Sequence, residues 1–492
     1  MKNAKWMMSA VLVIGLIMIC GLMANAEEWT MYGPRAEGMG GAGVAVADGA
    51  TAHYWNPGAT TKNDKSGLYI PFGLTTIAEG DIIGALDRVA QVGSSINWST
   101  ISTKIDLGGL TPAEAGQLLN FFSLSAAELN KPGQGFMVNS AAGMSFSLGK
   151  VTVFGNNFMN MNLDPQGDDT HLLLNTGASA ITDTVGSAAL GVPVNTALAT
   201  SIASQSWWIS SSGNAGLQAN NFIWLAEQQG TNTADPEIER ALVMMAQNLA
   251  GGDVSLSVNN NETGVIISGL IVNEIGVSYS KEFLDIIGQT LSVGANIKFM
   301  NGETYYKEIK YNDLEGTNNL MDNVNDKENT KASTAFGIDV GALVSFSDMF
   351  QGGLVIRNLN SPKFAYAGKG DAVLDPQTRI GVAAKLSSLL TLAADYDVTK
   401  NKSALLSGYE SQMFAIGAEV NLIGALKLRM GSVQNMASSN SASALTYGLG
   451  LNLILLDLDL AGTMASKKVA VEQDGTELPV RAGFSGALSF RF

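Results

Sequence analysis

Leu291-Ser-Val-Gly-Ala-Asn-Ile-Lys-Phe299 alternates apolar residues with polar or small ones without a break. Leu291, Val293, Ala295, Ile297 and Phe299 share one side, and Ser292, Gly294, Asn296 and Lys298 share the other. A period of two is the mark of a strand with one apolar face. The pattern recurs toward the end of the chain. Leu390, Leu392, Ala394, Tyr396 and Val398 alternate with Thr391, Ala393, Asp395 and Asp397, and Phe414, Ile416, Ala418 and Val420 with Ala415, Gly417, Glu419 and Asn421. Leu426, Leu428 and Met430 flank Lys427 and Arg429, and Leu456, Leu458 and Leu460 flank Asp457 and Asp459. Short turns at Ser387-Ser388 and near Gly424 make consecutive strands antiparallel hairpins. The last strand places Phe484, Gly486, Leu488, Phe490 and Phe492 on one side, with Ser485, Ala487, Ser489 and Arg491 on the other.

A long meander of such strands is a soluble sandwich or a closed barrel, and composition decides for the barrel. Hydrophobic residues make up 46% of the chain and charged residues 15%, yet beyond the N-terminus no apolar run is long enough for a spanning helix, since Asn273 and Glu274 interrupt even Val265 to Val277. A transmembrane barrel spreads its apolar half over every second residue, and closure removes the edges of so large a sheet. The N-terminus agrees. Lys2 and Lys5 precede an apolar run that closes on Ala24-Asn25-Ala26, the form of a cleaved export signal. The only cysteine, Cys20, falls inside it, so the mature chain is expected to form no disulfide and no Cys-based metal site. Removing the two signal lysines changes the charge from −15 to −17, with 27 basic residues against 44 acidic, which speaks against a nucleic-acid partner.

The middle of the chain differs. Thr111-Pro-Ala-Glu114 and Ser125-Ala-Ala-Glu128 read as two capping boxes, and Asp235-Pro-Glu237 opens a helix that stops at Gly251-Gly252. Between them Phe136 to Asn162 reads as two strands around a turn at Gly149-Lys150, so the helices are insertions between early strands. No element is assigned from Asp164 to Gln218. The expected organisation is a signal peptide over 1–26, an N-terminal hatch over 27–65 and a barrel of about 14 strands over 66–492, with helical insertions near 81–133 and 164–252.

After the signal comes Tyr32-Gly-Pro-Arg-Ala-Glu-Gly-Met-Gly-Gly-Ala-Gly-Val-Ala-Val-Ala-Asp48, and then Ala52-His-Tyr-Trp-Asn-Pro-Gly58. This resembles the hatch of the FadL/TodX superfamily of outer-membrane barrels, the long-chain fatty acid transporter group, and more closely its TraF-like conjugal transfer and PorV-type relatives. The match lies in Gly38, Gly40, Gly41, Gly43, Ala45, Asp48, Trp55, Asn56 and Pro57; Gly49 and Gly58 depart from the family pattern. The late segments Pro376-Gln-Thr-Arg379, Ala393-Ala-Asp395, Ile416-Gly-Ala-Glu419 and Leu428-Arg-Met-Gly431 resemble the family's late strands, whereas the helical middle matches nothing in it. The same glycines satisfy the G-x-G-x-x-G pattern at Gly38, Gly40 and Gly43, but that fingerprint needs a strand before and a helix after it. Packing of a small-residue backbone inside a narrow lumen is the better reading.

No catalytic, cofactor or metal site is expected, and no enzyme. His53 sits among hatch aromatics, where packing is its expected role, and His171 beside Asp168-Asp169 lacks the further ligands a catalytic metal needs. No nucleophile elbow, HExxH or P-loop occurs. Trp207-Trp208 and the helix bearing Leu242, Val243, Met244, Met245 and Leu249 read either as a greasy outer surface or as a small core of the insertion, and the core is the favoured reading. Lys298, Lys385, Asp395, Asp397, Glu419, Lys427, Arg429, Asp457, Asp459 and Arg491 are expected to face inward. Phe484, Leu488, Phe490 and Phe492 would meet outer-membrane lipid and present the C-terminal strand to the barrel-assembly machinery. The resemblance implies passive uptake of a hydrophobic compound; the alternative is an accessory barrel that binds conjugation or secretion proteins. Uptake predicts a continuous apolar pocket ending at the hatch, and the accessory role a plugged lumen with a partner-binding loop surface.

Overall fold

The computed structural model describes residues 28–62, 66–107, 109–175, 180–286, 289–310, 327–367, 370–422, 424–438, 441–453, 456–471 and 476–491. The expected signal peptide and Phe492 lie outside the described residues. Fourteen antiparallel strands close into one barrel. They are β1 Gly67–Glu79, β2 Gly135–Leu148, β3 Val151–Gln166, β4 Gly264–Ile286, β5 Gln289–Lys310, β6 Thr330–Ser345, β7 Phe350–Arg357 and β8 Gln377–Lys385. The circuit continues through β9 Leu390–Asp397, β10 Met413–Leu422, β11 Leu426–Asn435, β12 Ala444–Asn452, β13 Leu456–Ala465 and β14 Arg481–Arg491. Each pairs with its neighbour in sequence, and β1 pairs with β14 to close the ring, Leu74 opposite Phe484.

The period of two becomes the inside and outside of this wall. On β5, Val293, Ile297 and Phe299 are exposed, while Ser292, Asn296 and Lys298 are buried toward the lumen. Ile275, Phe336, Val382, Ile416, Met430, Phe484 and Leu488 continue the exposed apolar face around the barrel. An apolar outer belt on a closed antiparallel barrel is how strands satisfy their backbone in lipid, and the chain is an outer-membrane β-barrel. No described helix is long and apolar enough to cross a membrane.

The connections divide by rim. Short turns follow β2, β4, β6, β8, β10 and β12; long segments follow β1, β3, β5, β7, β9, β11 and β13. The hatch carries α1 Pro34–Gly38 and α2 Ala52–Trp55, and the segments after β1 and β3 carry α3 Ile82–Ser94, α4 Trp98–Leu107, α5 Pro112–Leu129, α6 Ala180–Val185, α7 Thr196–Ala203, α8 Ser206–Ser211, α9 Ala215–Gln228 and α10 Pro236–Gly251. These helices share one core built from Phe121, Phe122, Leu172, Trp208, Phe222, Leu242, Met245 and Leu249, with Trp207, Val243 and Met244 packed against it. The tryptophans and the Met-rich helix thus belong to the core of the insertion.

Two capping predictions have different outcomes. Thr111 closes a full capping box, its backbone N–H donating to Glu114 Oε2 at 2.8 Å and its hydroxyl accepting from the Glu114 N–H at 3.4 Å. Ser125 starts no helix, because α5 runs through it: its hydroxyl donates to the Phe121 carbonyl one turn earlier at 2.7 Å, and Glu128 pairs with Arg88 and Lys131. Two of the inward polar set are exposed to solvent at the rims. Lys385 is exposed on the short-turn rim, and Arg491 is half exposed beside Asp457, because both terminate strands where the pleat has passed the lumen.

Candidate functional site

Residues 28–62 fill the lumen. The segment begins at the long-loop rim, where Glu28 accepts from Arg481 Nη2 at 2.6 Å and from the Tyr409 hydroxyl at 2.5 Å. It ends at the short-turn rim, where Thr61 donates to Ser292 at 3.0 Å and Lys62 to Gln351 at 2.7 Å. Between these ends it forms only short helical turns, among them α1 Pro34–Gly38 and α2 Ala52–Trp55. With so little regular structure its backbone must find partners in the wall.

Small residues permit that approach. Gly40 adopts φ +73°, a left-handed conformation open to glycine at little cost, and its N–H donates to Thr446 Oγ1 at 2.9 Å. Opposite, the wall is flat at Gly417 and Gly431, where a methyl group would overlap the backbone of Met39 and Gly40. Gly38 lies against Gly448 of β12, and Gly41, also left-handed, against Met31. Gly43 sits under the Trp55 ring, and its N–H and that of Val44 donate to Asp395 Oδ2 at 2.7 and 2.8 Å. Asn56 clamps the hatch to the wall: its Nδ2 donates to the Val44 carbonyl at 3.1 Å and to the Ala342 carbonyl of β6 at 2.9 Å. Pro57 opens the last turn against Gly294 and Gly341 of the wall. Asp48 stands exposed and pairs with Arg35 at 2.8 Å.

Polar contacts hold the hatch along three lines, the first through an ion pair and the others through the neutral Asn296 and Thr463. Arg35 meets both Glu419 oxygens at 3.1 Å, Arg429 reaches Glu419 at 2.7 Å, and the same Arg429 reaches Asp459 at 2.6 Å. Lys298 lies 3.3 Å from Glu274 and 3.0 Å from Asp339, while Asn296 donates to the His53 carbonyl at 2.6 Å. Glu37 accepts from Thr463 at 2.8 Å. The aromatic part of the hatch is held by cations: Arg357 stands 4.2 Å from the centre of the Tyr54 ring and Arg379 4.4 Å from that of Trp29, contacts that strengthen when water is excluded. His53 stacks on Phe154 with centroids 4.3 Å apart and bonds the Ala50 carbonyl. Burial lowers its pKa to about 4, and burial also brings Lys62 down to about 8.

Glu28, Arg35 and Glu37 are the hatch residues that sequence reading missed. Each is polar in a segment read for its glycines, and each has a partner 384 or more positions away. His171 has a local role: its Nδ1 lies 2.7 Å from Asp168, which also accepts the Glu262 and Thr170 N–H groups. Among the described residues no group of three or more His, Cys, Asp or Glu side chains is placed to hold a metal ion.

Little room remains. Around Glu28, Thr30, Phe158, Leu270 and Arg357 the lumen keeps about 50 Å³, room for a few waters. A second cavity of about 580 Å³ opens at the long-loop rim beside Asp164, Tyr306, Tyr366, Asp371 and the 402–410 loop.

Residues 168–397 match the family described as F plasmid transfer operon, TraF, protein. The match starts in the helical insertion and runs through β9. Three solved structures are similar over nearly the whole chain. The Ralstonia pickettii toluene transporter TbuX is 12% identical with a TM-score of 0.44, over 94% of this chain and 99% of its own. The monoaromatic hydrocarbon channel CymD is 10% identical at 0.45, over 95% and 99%. A Pseudomonas aeruginosa FadL homologue is 10% identical at 0.40, over 94% and 98%. At such scores the fold rests on the closed circuit of strands and not on these likenesses. No curated protein sequence matches the chain.

Proposed function

We propose that this barrel admits a small, largely hydrophobic compound across the outer membrane, with residues 28–62 as a stopper that moves aside. The observation that carries the reading is the character of the interface between hatch and wall. Beside apolar clusters in which Trp29 and Val44 meet Phe158 and Val355, and Met39 and Ala45 meet Ala383 and Ala415, it holds ion pairs and hydrogen bonds between Arg35 and Glu419, Glu28 and Arg481, and the Gly43 and Val44 N–H groups and Asp395. Buried ion pairs are a poor way to gain stability compared with apolar packing, but water replaces them readily when two surfaces part. Residues 28–62 occupy the lumen, so passage requires displacement of the hatch. No energy source is required, and no residue is assigned to cargo inside the lumen.

A second reading, an accessory barrel that holds conjugation or secretion proteins, draws on the plugged lumen and on the TraF family match. Native mass spectrometry of the gently extracted protein separates the two. Copurified hydrophobic molecules, lost from Asn56→Ala, support uptake. A bare barrel arriving with a stoichiometric protein partner supports the accessory role.

A further inference from the structure

The rim that carries the short turns is apolar, and an exposed apolar patch of this extent marks a surface that water does not cover. Phe346 and Met349 after β6, Leu386 and Leu389 after β8, Leu422 at the end of β10 and Leu453 after β12 are all exposed. Leu389 and Leu453 are 55% and 59% exposed, as much as Ile416 on the lipid belt at 50%. Among the described residues of these turns the one acid is Asp348. Strand length accounts for the pattern. β7 to β13 have 8 to 10 residues each, about the least that crosses the hydrocarbon layer, so the lipid belt runs out over the turns. The turn tips are continuous with the lipid face and reach the level of the head groups.

A second feature lies just inside the same turns. Lys385 ends β8 next to Leu386, and Lys427 follows Leu426 at the start of β11. Lys385 stands opposite Thr391, Thr391 opposite Glu419, and Glu419 opposite Arg429, two residues from Lys427. Lys62 joins them from the end of the hatch, where it donates to the neutral Gln351. Burial, and after it the charge of Lys385, brings Lys62 down to about 8. Among the described residues Lys385 and Lys427 have no ion pair. The acids that act on Lys427 are Glu419 and Asp48, and these are bound by Arg35, with Arg429 also on Glu419. In a chain of net charge −15, three lysines without an acid of their own are gathered beside exposed leucines. The group that satisfies both features is anionic and carries acyl chains: a soluble anion leaves the leucines uncovered, and a zwitterionic lipid leaves the lysines uncompensated.

We propose that the short-turn rim over β8 to β11 binds an anionic phospholipid of the periplasmic leaflet, its phosphate on Lys62, Lys385 and Lys427 and its chains on Leu386, Leu389 and Leu422. The site stands under either reading of the barrel's function. Because Lys62 lies at the end of the hatch, a head group seated there also touches the inner end of the stopper.

The test is native mass spectrometry of the full-length protein in nonionic detergent, checked for heat-modifiable migration and titrated with three probes: dioleoyl phosphatidylglycerol, dioleoyl phosphatidylcholine and glycerol 3-phosphate. Retention of the phosphatidylglycerol about tenfold over the phosphatidylcholine is the expected result. That preference should fall to near parity in the double variant Lys385→Gln with Lys427→Gln and survive in K385R with K427R, while Leu386→Ser with Leu389→Ser should weaken both lipids alike. Equal retention of the two lipids by the wild type, or a preference unchanged in the folded glutamine variant, would overturn the site. So would glycerol 3-phosphate held as tightly as the phosphatidylglycerol, which would make it a soluble-anion site, or an acidic protein partner shed by the glutamine variant with no lipid preference in the wild type.

Discussion

The hatch and the helical insertion are both segments outside the barrel wall, and they are held by opposite means. The insertion brings its own core, with Phe121, Trp208, Phe222 and Leu242 all buried among its helices, and caps its helices at Thr111, Asn195, Asn214 and Asp235. Burial of aromatic and aliphatic side chains stabilises it locally. The hatch has almost no regular structure, and many of its polar groups bond to the wall hundreds of residues away. It owes its conformation to the barrel. A stable insertion and a hatch that depends on the wall are what a fixed cap and a movable stopper each require.

The largest expected effect breaks the hatch alone. Gly431→Leu places a side chain where the Met39 and Gly40 backbone now lies; the hatch should leave the lumen and become cleavable by protease within residues 28–62, while the barrel keeps its heat-modifiable migration. A protected hatch in this variant would mean the wall contacts do not hold it. The mirror experiment breaks the insertion. Phe222→Ala removes a fully buried ring and should cost the insertion about 3–5 kcal/mol, read as accelerated proteolysis between β3 and β4 with hatch protection unchanged.

Acid should act on the hatch through His53. In the docked hatch burial holds this imidazole at about 4, against an ordinary value of 6.5. Once undocked it regains the ordinary value. Between those two values the undocked form takes up a proton that the docked form does not, so docking weakens as pH falls through that window, and the full loss, about 3 kcal/mol, is reached below the lower value. Above pH 6.5 the group contributes no slope. Comparing hatch protection in the wild type and in His53→Asn across this range isolates the residue, and equal slopes would remove it from the account. The smallest effect sharpens the contrast: Thr111→Ala costs the insertion about 1 kcal/mol through its cap, seen in local hydrogen exchange of α5 and nowhere in the hatch.

Strands were legible because their alternation is local: Val293, Ile297 and Phe299 declare the lipid face within one strand. The helix from Asp235 to Gly252 was legible for the same reason, since cap and stop lie within its own sequence. The unassigned stretch after Asp164 also held local signals, because Asn195 and Asn214 each accept the N–H three residues on, the mark of a helix start. Ser125 misled because a box pattern marks a start only where no helix is already running. The hatch glycines pointed to close packing but not to what they pack against. Arg35 with Glu419, or Glu28 with Arg481, joins the two ends of the chain, and no periodicity encodes such a pairing.

The central claim, that residues 28–62 are a stopper in an otherwise open barrel, is tested most directly by planar-bilayer conductance of the full-length protein beside a form lacking those residues. The account predicts a closed full-length barrel and a steady open channel from the truncated one. A truncated barrel that is folded by heat-modifiable migration yet stays closed, or a full-length barrel that conducts equally well, would contradict it.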